Sequence, residues 1–258
     1  MTLQSGAFIG VAAFVASAIN AGAGGGSFIS FPALLATGIP PINANATNNT
    51  AMWLGSFASA GALRSEIDIP RATLIKMLVA SSAGSVLGAL LLLRTSNGAF
   101  SQLIPLLLFV ATALFIAGPR LTRAASQAEV GKVLRVDTPL GLAGQLAIAT
   151  YGGFFGAAIG ILMLALLGLL GMHDLRRANA FKVLLATVIN GVAVVPFVIA
   201  RAIAWDAALV ASVCAIAGGY LGADLVKRLP SHVVRAFVIA VACAMTLYFA
   251  IKTYAFHG

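Results

Sequence analysis

The polar residues that could do chemistry in this chain fall in two short places. One is Asn20-Ala21-Gly22-Ala23-Gly24-Gly25-Gly26-Ser27, about 16 residues into the first apolar run; the other is Tyr151-Gly152-Gly153-Phe154-Phe155-Gly156-Ala157-Ala158-Ile159-Gly160. Glycines at these positions let a ligand approach the main chain. The start of a following helical arm presents unpaired N–H groups and the positive end of a helix dipole, which together suit an anion. Asn45, Asn48 and Asn49 follow at i, i+3, i+4 and share one helix face. Asn179 and Lys182, three apart, open a second such helix. The chemistry these residues suggest is the holding of a small anionic substrate by Asn20, Gly22, Gly24, Gly25, Gly26, Ser27, Asn45, Asn48, Asn49, Tyr151, Gly153, Gly156, Gly160, Asn179 and Lys182.

Simpler explanations compete at each position. Gly22/Gly26, Gly84/Gly88, Gly152/Gly156/Gly160 and Gly218/Gly222 all have the spacing that lets helices pack closely. For Gly84 and Gly218 packing is the preferred reading; for the two clusters that interrupt overlong apolar runs a ligand site is preferred. Lys182 lies about one turn inside its segment and either snorkels to the surface or attracts an anion. The Asn-x-Thr strings at Asn45 and Asn48 lie within an apolar run and are helix residues rather than glycosylation acceptors. Cys214 and Cys243 sit in apolar runs without CxxC spacing and read as small hydrophobes. Asp206 and Asp224 sit near segment ends and the remaining acidic residues in loops, while His173, His232 and His257 lie in loops or the tail. Cation transport, metal catalysis and acid–base chemistry therefore lack candidate residues, no cofactor is expected, and the chain does not read as an enzyme.

The elements that must position these groups are membrane helices. Of 258 residues 60% are hydrophobic and 9% charged, against about 25% charged in a soluble domain. Mean hydropathy is +1.02. Apolar runs occupy 6–21, 27–38, 44–63, 72–93, 99–118, 139–155, 160–172, 178–200, 206–226 and 233–252. The first run lacks a basic n-region and is expected to remain in the mature protein. A single helix over 6–38 would be about 50 Å long, too long for a hydrocarbon core of ~30 Å.

Charge discriminates between one crossing and a reversal. If 6–38 and 139–172 each cross once, Lys and Arg divide 9 against 7 between the two sides. If each Gly-broken stretch returns to the side it entered, the division becomes 13 against 3, with only Arg94, Arg201 and Lys252 on the poorer side. The positive-inside rule selects the second topology and places both termini outside the cytoplasm. The net charge of +9 is then a cytoplasmic rim in a lipid bilayer, and nucleic acid is not a partner. Each half receives five segments, an odd number, so the halves are inverted. An internal repeat supports the division: Gly22-Ala23, Gly26 and Ala44-Asn45-Ala46 recur as Gly156-Ala157, Gly160 and Ala178-Asn179-Ala180. The expected fold is an all-α polytopic bundle of two inverted repeats, residues 1–125 and 126–258, each a Gly-broken hairpin plus three spans.

Taken together, Gly22 to Ser27 with Pro32, the turn Gly38-Ile39-Pro40-Pro41 before Ala44-Asn45-Ala46-Thr47, and Gly152 to Gly160 with Arg177-Ala178-Asn179-Ala180-Phe181-Lys182 resemble the TauE/SafE sulfite exporter family, also called the toluene-sulfonate uptake permeases. The resemblance spans nearly the whole chain, and the Asn48-Asn49 pair departs from it, being more polar than the pattern. It implies a multi-pass transporter of the bacterial inner membrane that exports sulfite, sulfoacetate or a related organosulfonate. Export of an anion needs no coupling ion, because an inside-negative potential favours it by about 2.3 kcal/mol per charge per 100 mV. Uptake of a related anion and a non-transporting membrane scaffold remain as alternatives, and a homo-oligomer is allowed.

Overall fold

The computed structural model describes residues 2–22, 24–62, 66, 67, 69–127, 138–172, 174–222 and 230–255. They form helices α1 (Leu3–Gly22), α2 (Ser27–Ala36), α3 (Pro41–Ala62), α4 (Arg71–Arg94), α5 (Asn97–Gln127), α6 (Pro139–Phe154), α7 (Ile159–Leu169), α8 (Leu175–Ile199), α9 (Trp205–Ala217) and α10 (Ser231–Ala255). No strand occurs among the described residues. Helix starts follow local chemistry: Pro139 begins α6 behind Thr138, whose side chain accepts from the Gly141 amide, and Asp174 caps α8 through the amides of Arg176 and Arg177. Among the described residues five helices (α1, α4, α5, α8 and α10) are long and apolar enough to cross a membrane.

The runs expected from the sequence match these elements with two differences. α5 continues beyond residue 118 through Pro119 to Gln127. α9 ends at Ala217 and passes into a π turn over Gly218–Gly222. The widened turn falls where Gly218 lies against the Phe14 carbonyl, close enough that a Cβ would be 2.2 Å from it. Among the basic residues of the predicted rim, Arg64, Lys132, Arg135, Lys227 and Arg228 lie outside the described residues.

Hydrogen bonds between distant segments fix the direction of each helix. Asn97 accepts from the Ile42 amide at 3.0 Å, Asn43 donates to the Ala202 carbonyl at 2.9 Å, and Thr47 accepts from the Ala204 amide at 3.0 Å. Tyr254 donates to the Gln102 carbonyl at 3.1 Å. The starts of α3, α5 and α9 and the ends of α8 and α10 therefore gather at one face, here the first face. At the opposite, second face Arg176, in the first turn of α8, lies 4.0 Å from Glu66, just beyond α3. Gly191 of α8 meets Trp53 of α3 between these ends. So α3 and α8 run in opposite directions, as do α5 and α10, which touch at Thr112 and Thr246 with their hydroxyls 3.2 Å apart.

The glycine-broken hairpins follow the same logic. α1 runs alongside α9, Gly10 against Val210 and Cys214 and Phe14 against Gly218, so α1 starts at the first face. α2 leads back to α3 there. α6 runs alongside α4, with Gly84 on the Leu146 carbonyl and Gly88 on the Thr150 carbonyl, and so starts at the second face. Such approaches use glycine as a slot for another main chain, which supports the packing reading of Gly84 and Gly218.

Lipid-sized apolar side chains such as Ile75, Leu87, Phe109, Val213 and Leu247 point outward, while Asn48, Asn49, Gln145, Lys182 and Asn190 are buried. This distribution suits hydrocarbon as the surrounding solvent. The helix contact at Gly88 gives a test. A Cβ there would stand 2.0 Å from the Thr150 carbonyl, whereas one at Gly98 would meet nothing within 4 Å. Thermal unfolding in detergent should show Gly88→Ala destabilised by roughly 1–3 kcal/mol and Gly98→Ala unchanged; equal stability of both variants would refute the α4–α6 contact.

Candidate functional site

Each hairpin breaks its helix deep in the bundle. In the first tip Gly24 and Gly25 have φ of +75° and +86°, and in the second Gly156 and Ala158 have φ of +81° and +63°. This left-handed backbone is accessible to glycine but costs an alanine roughly 1–2 kcal/mol, so Ala158 is held there by its surroundings. Tyr151 contributes on both sides of the turn: its hydroxyl donates to the Ala157 carbonyl at 2.9 Å, and its carbonyl accepts from the amides of Phe155 and Gly156.

Between the tips lies a cavity of about 100 Å³, room for a few waters or one small oxyanion. Asn20, Gly24, Gly25 and Ser27 line it from the first tip, and Gly156, Ala158 and Gly160 from the second. α3 contributes Asn48, Asn49, Met52 and Ser56, and α8 contributes Asn179, Lys182, Val183, Ala186 and Asn190. Many of these residues pair at the offset of 134 that also relates Thr112 to Thr246. Gly24 pairs in this way with Ala158, Asn48 with Lys182, Met52 with Ala186, and Ser56 with Asn190.

Lys182 is 6% exposed and does not snorkel. Its stem lies against Gly160, with Cδ 3.2 Å from where a Cβ would stand, so Gly160 makes the slot that admits it. Among the described residues the structure gives its ammonium neither an ion pair nor a hydrogen bond. The Oδ1 atoms of Asn48 and Asn49 are buried without a donor, and both side chains line the cavity. The cavity therefore offers one cation and amide donors, with no carboxylate among its lining residues. A buried ammonium without a counter-ion is costly, and an anion bringing its own charge offsets that cost.

Ten of the fifteen residues expected from the sequence line this cavity, and Gly26, Asn45, Tyr151 and Gly153 do not; the surroundings of Gly22 lie outside what the structure describes. Asn45 donates to the Phe154 carbonyl at 3.0 Å, tying α3 to the last turn of α6. Gly26 lies on the Ala16 carbonyl and Gly153 on the Ser85 carbonyl, both close-packing roles. Gly22 ends α1. The α2 arm also differs from expectation: the amides of Phe28 and Ile29 close on the carbonyls of Gly25 and Gly26, and that of Ser30 on Gly26. Any free main-chain donors of this tip must precede Phe28. Ser17, Ser56 and Asn190 line the cavity and were absent from the expected set. Ser17 stands three residues before Asn20, and Ser56 and Asn190 are partners at the repeat offset, so spacing alone held the signal.

The sequence pattern described as Sulfite exporter TauE/SafE matches residues 9–249. A "Probable membrane transporter protein" of Haemophilus influenzae is 31% identical over 240 residues, covering 90% of this chain and 89% of its own. The "Probable membrane transporter protein YfcA" of Escherichia coli (strain K12) is 28% identical over 91% of this chain and 85% of its own. The "Probable membrane transporter protein ORF9" of Sinorhizobium sp is 28% identical over 93% of this chain and 90% of its own. No solved structure matches the chain.

Cavity membership can be checked by labelling. With Cys214 and Cys243 replaced by alanine, a single cysteine at Ser56 or Asn190 should react with a small water-soluble thiol reagent, and one at Asn45 should not. Reaction at Asn45 with protection of Ser56 and Asn190 would contradict the lining described.

Proposed function

Because the chain belongs to the TauE/SafE sulfite exporter family and is a membrane transporter, we propose that it exports a small sulfur-containing anion, such as sulfite, sulfoacetate or a related organosulfonate, through the cavity between the two tips. The observation that carries this reading is Lys182, buried in that cavity without a counter-charge. Its ammonium, the amides of Asn48, Asn49 and Asn179, and Ser27 are the groups that hold the anion. The opposed directions of α3 and α8 and of α5 and α10, with cavity residues paired at one offset, support two inverted repeats.

Basic residues favour the second face. Arg71, Arg120, Arg176, Arg177 and Arg235 stand near helix ends there, against Arg94, Arg201 and Lys252 at the first. By the positive-inside rule the second face is cytoplasmic and both termini are periplasmic, in the inner membrane. A basic rim on that side raises the local anion concentration at the entrance. The inside-negative potential then drives each negative charge outward by about 2.3 kcal/mol per 100 mV.

Proteoliposomes loaded with sulfite test both parts. An inside-negative voltage should accelerate efflux, and voltage-insensitive efflux would argue against the electrogenic mechanism. Lys182→Gln should raise the half-saturating sulfite concentration about 10- to 100-fold, the equivalent of one lost charge-assisted hydrogen bond. Unchanged affinity in that variant would remove Lys182 from the site.

A further inference from the structure

α5 carries a proline at position 119 inside the helix. Proline has no N–H, so the carbonyl four residues earlier, that of Phe115, loses its helical donor. Arg235, one turn into α10, supplies one: its Nη2 donates to the Phe115 carbonyl and, at 3.1 Å, to that of Ile116. Its guanidinium carbon also lies 5.2 Å from the centroid of the Phe115 ring, within cation–π range.

Phe115 leads from there to the cavity. It is 1% exposed, and its ring meets that of Phe28, in the first turn of α2, edge-on at 6.0 Å. Its Cε2 lies 2.8 Å from where a Cβ on Gly25 would stand. Gly25 lines the cavity. Phe115 is thus the floor beneath the first tip, and Arg235 fixes that floor from the other half of the chain. The positions related to Arg235 and Pro119 by the offset of 134 hold Ser101 and Thr253. The clasp therefore has no counterpart at the opposite face.

We propose that Arg235 is a positioning residue for the anion site: by satisfying the carbonyl that Pro119 orphans, it holds Phe115 under Gly25 and sets the first tip in its ligand-binding conformation. The proposal rests on the cavity being the transport site. It makes a specific demand of Pro119, because Pro119→Ala restores the helical N–H and relieves the need for Arg235.

The test uses the full chain with Cys214 and Cys243 replaced by alanine; a reporter cysteine at Ser27 is added for the labelling measurement only, and flux is measured with Ser27 in place. Two readouts are taken: the thiol labelling rate at the tip, and the half-saturating sulfite concentration for flux in proteoliposomes. Arg235→Gln should change the labelling rate severalfold and raise half-saturation about tenfold, the order expected for losing a charge-assisted hydrogen bond. Arg235→Gln combined with Pro119→Ala should return both readouts to near those of Pro119→Ala alone. Arg235→Lys, which keeps a donor and a cation near the ring, should be intermediate. A lower unfolding temperature with unchanged labelling and half-saturation, or additive effects of the two substitutions, would overturn the proposal. If the wild-type protein moves no sulfite, the transport reading fails, while the labelling rates still decide whether Arg235 sets the tip.

Discussion

Hydrocarbon cannot satisfy a main-chain N–H or C=O, so a helix can be broken at membrane depth only where protein or a polar cavity receives the freed groups. The architecture depends on how two such breaks are accommodated. Gly24 and Gly25 in one tip and Gly156 and Ala158 in the other take left-handed backbone, and apolar side chains close over each tip. Phe115 and Val238 close over Gly25, and Ile189 closes over Gly152. Tight turns consume several of the freed groups: Gly25 and Gly26 carbonyls receive the first amides of α2, and the Tyr151 carbonyl receives those of Phe155 and Gly156. What remains unfilled between the tips is the cavity.

The cavity is nearly symmetric in construction and asymmetric in charge. Asn48 and Lys182 stand at corresponding places in α3 and α8, each seven residues beyond its helix start. Since those helices run in opposite directions, Asn48 approaches from the first face and Lys182 from the second. A side chain on a helix leans toward its N-terminus, so the single positive charge is displaced toward the second face, which also carries the denser basic rim. This displacement suits a carrier that collects anions from that side. It also explains why Gly160 recurs where Gly26 stands in the first repeat yet does different work: Gly26 admits the Ala16 carbonyl, and Gly160 admits the stem of Lys182.

Much of this was legible in the residue order. Runs too long to span as single helices, broken by glycine, required reversals, and the distribution of Lys and Arg chose between reversal and crossing. The opposed directions of α3 and α8 are consistent with that choice. The residues Asn48, Asn49 and Lys182 could be read as a site because buried polar groups in lipid demand partners. Which amide of the Asn45, Asn48 and Asn49 stripe faces the cavity could not be read, since all three share a face. Only the packing of α6 shows that Asn45 meets the Phe154 carbonyl. The roles of Gly26 and Gly153 were hidden for the same reason, as glycine spacing is identical for a ligand approach and a helix slot. Ser17, Ser56 and Asn190 were overlooked because single serines and asparagines in apolar helices bond their own backbone as readily as they line a cavity. The Arg235 clasp joins residues 120 positions apart, and no local pattern announces it.

On the proposed function, an anion sits between the two glycine tips on Lys182. An experimental structure of the protein in lipid, determined at saturating sulfite, tests it most directly. Ligand density is expected bordered by Gly24, Gly25, Gly156 and Gly160 and within hydrogen-bonding distance of Lys182 Nζ. An empty cavity with the anion bound elsewhere, for example along the exposed arginines of the second face, would contradict it.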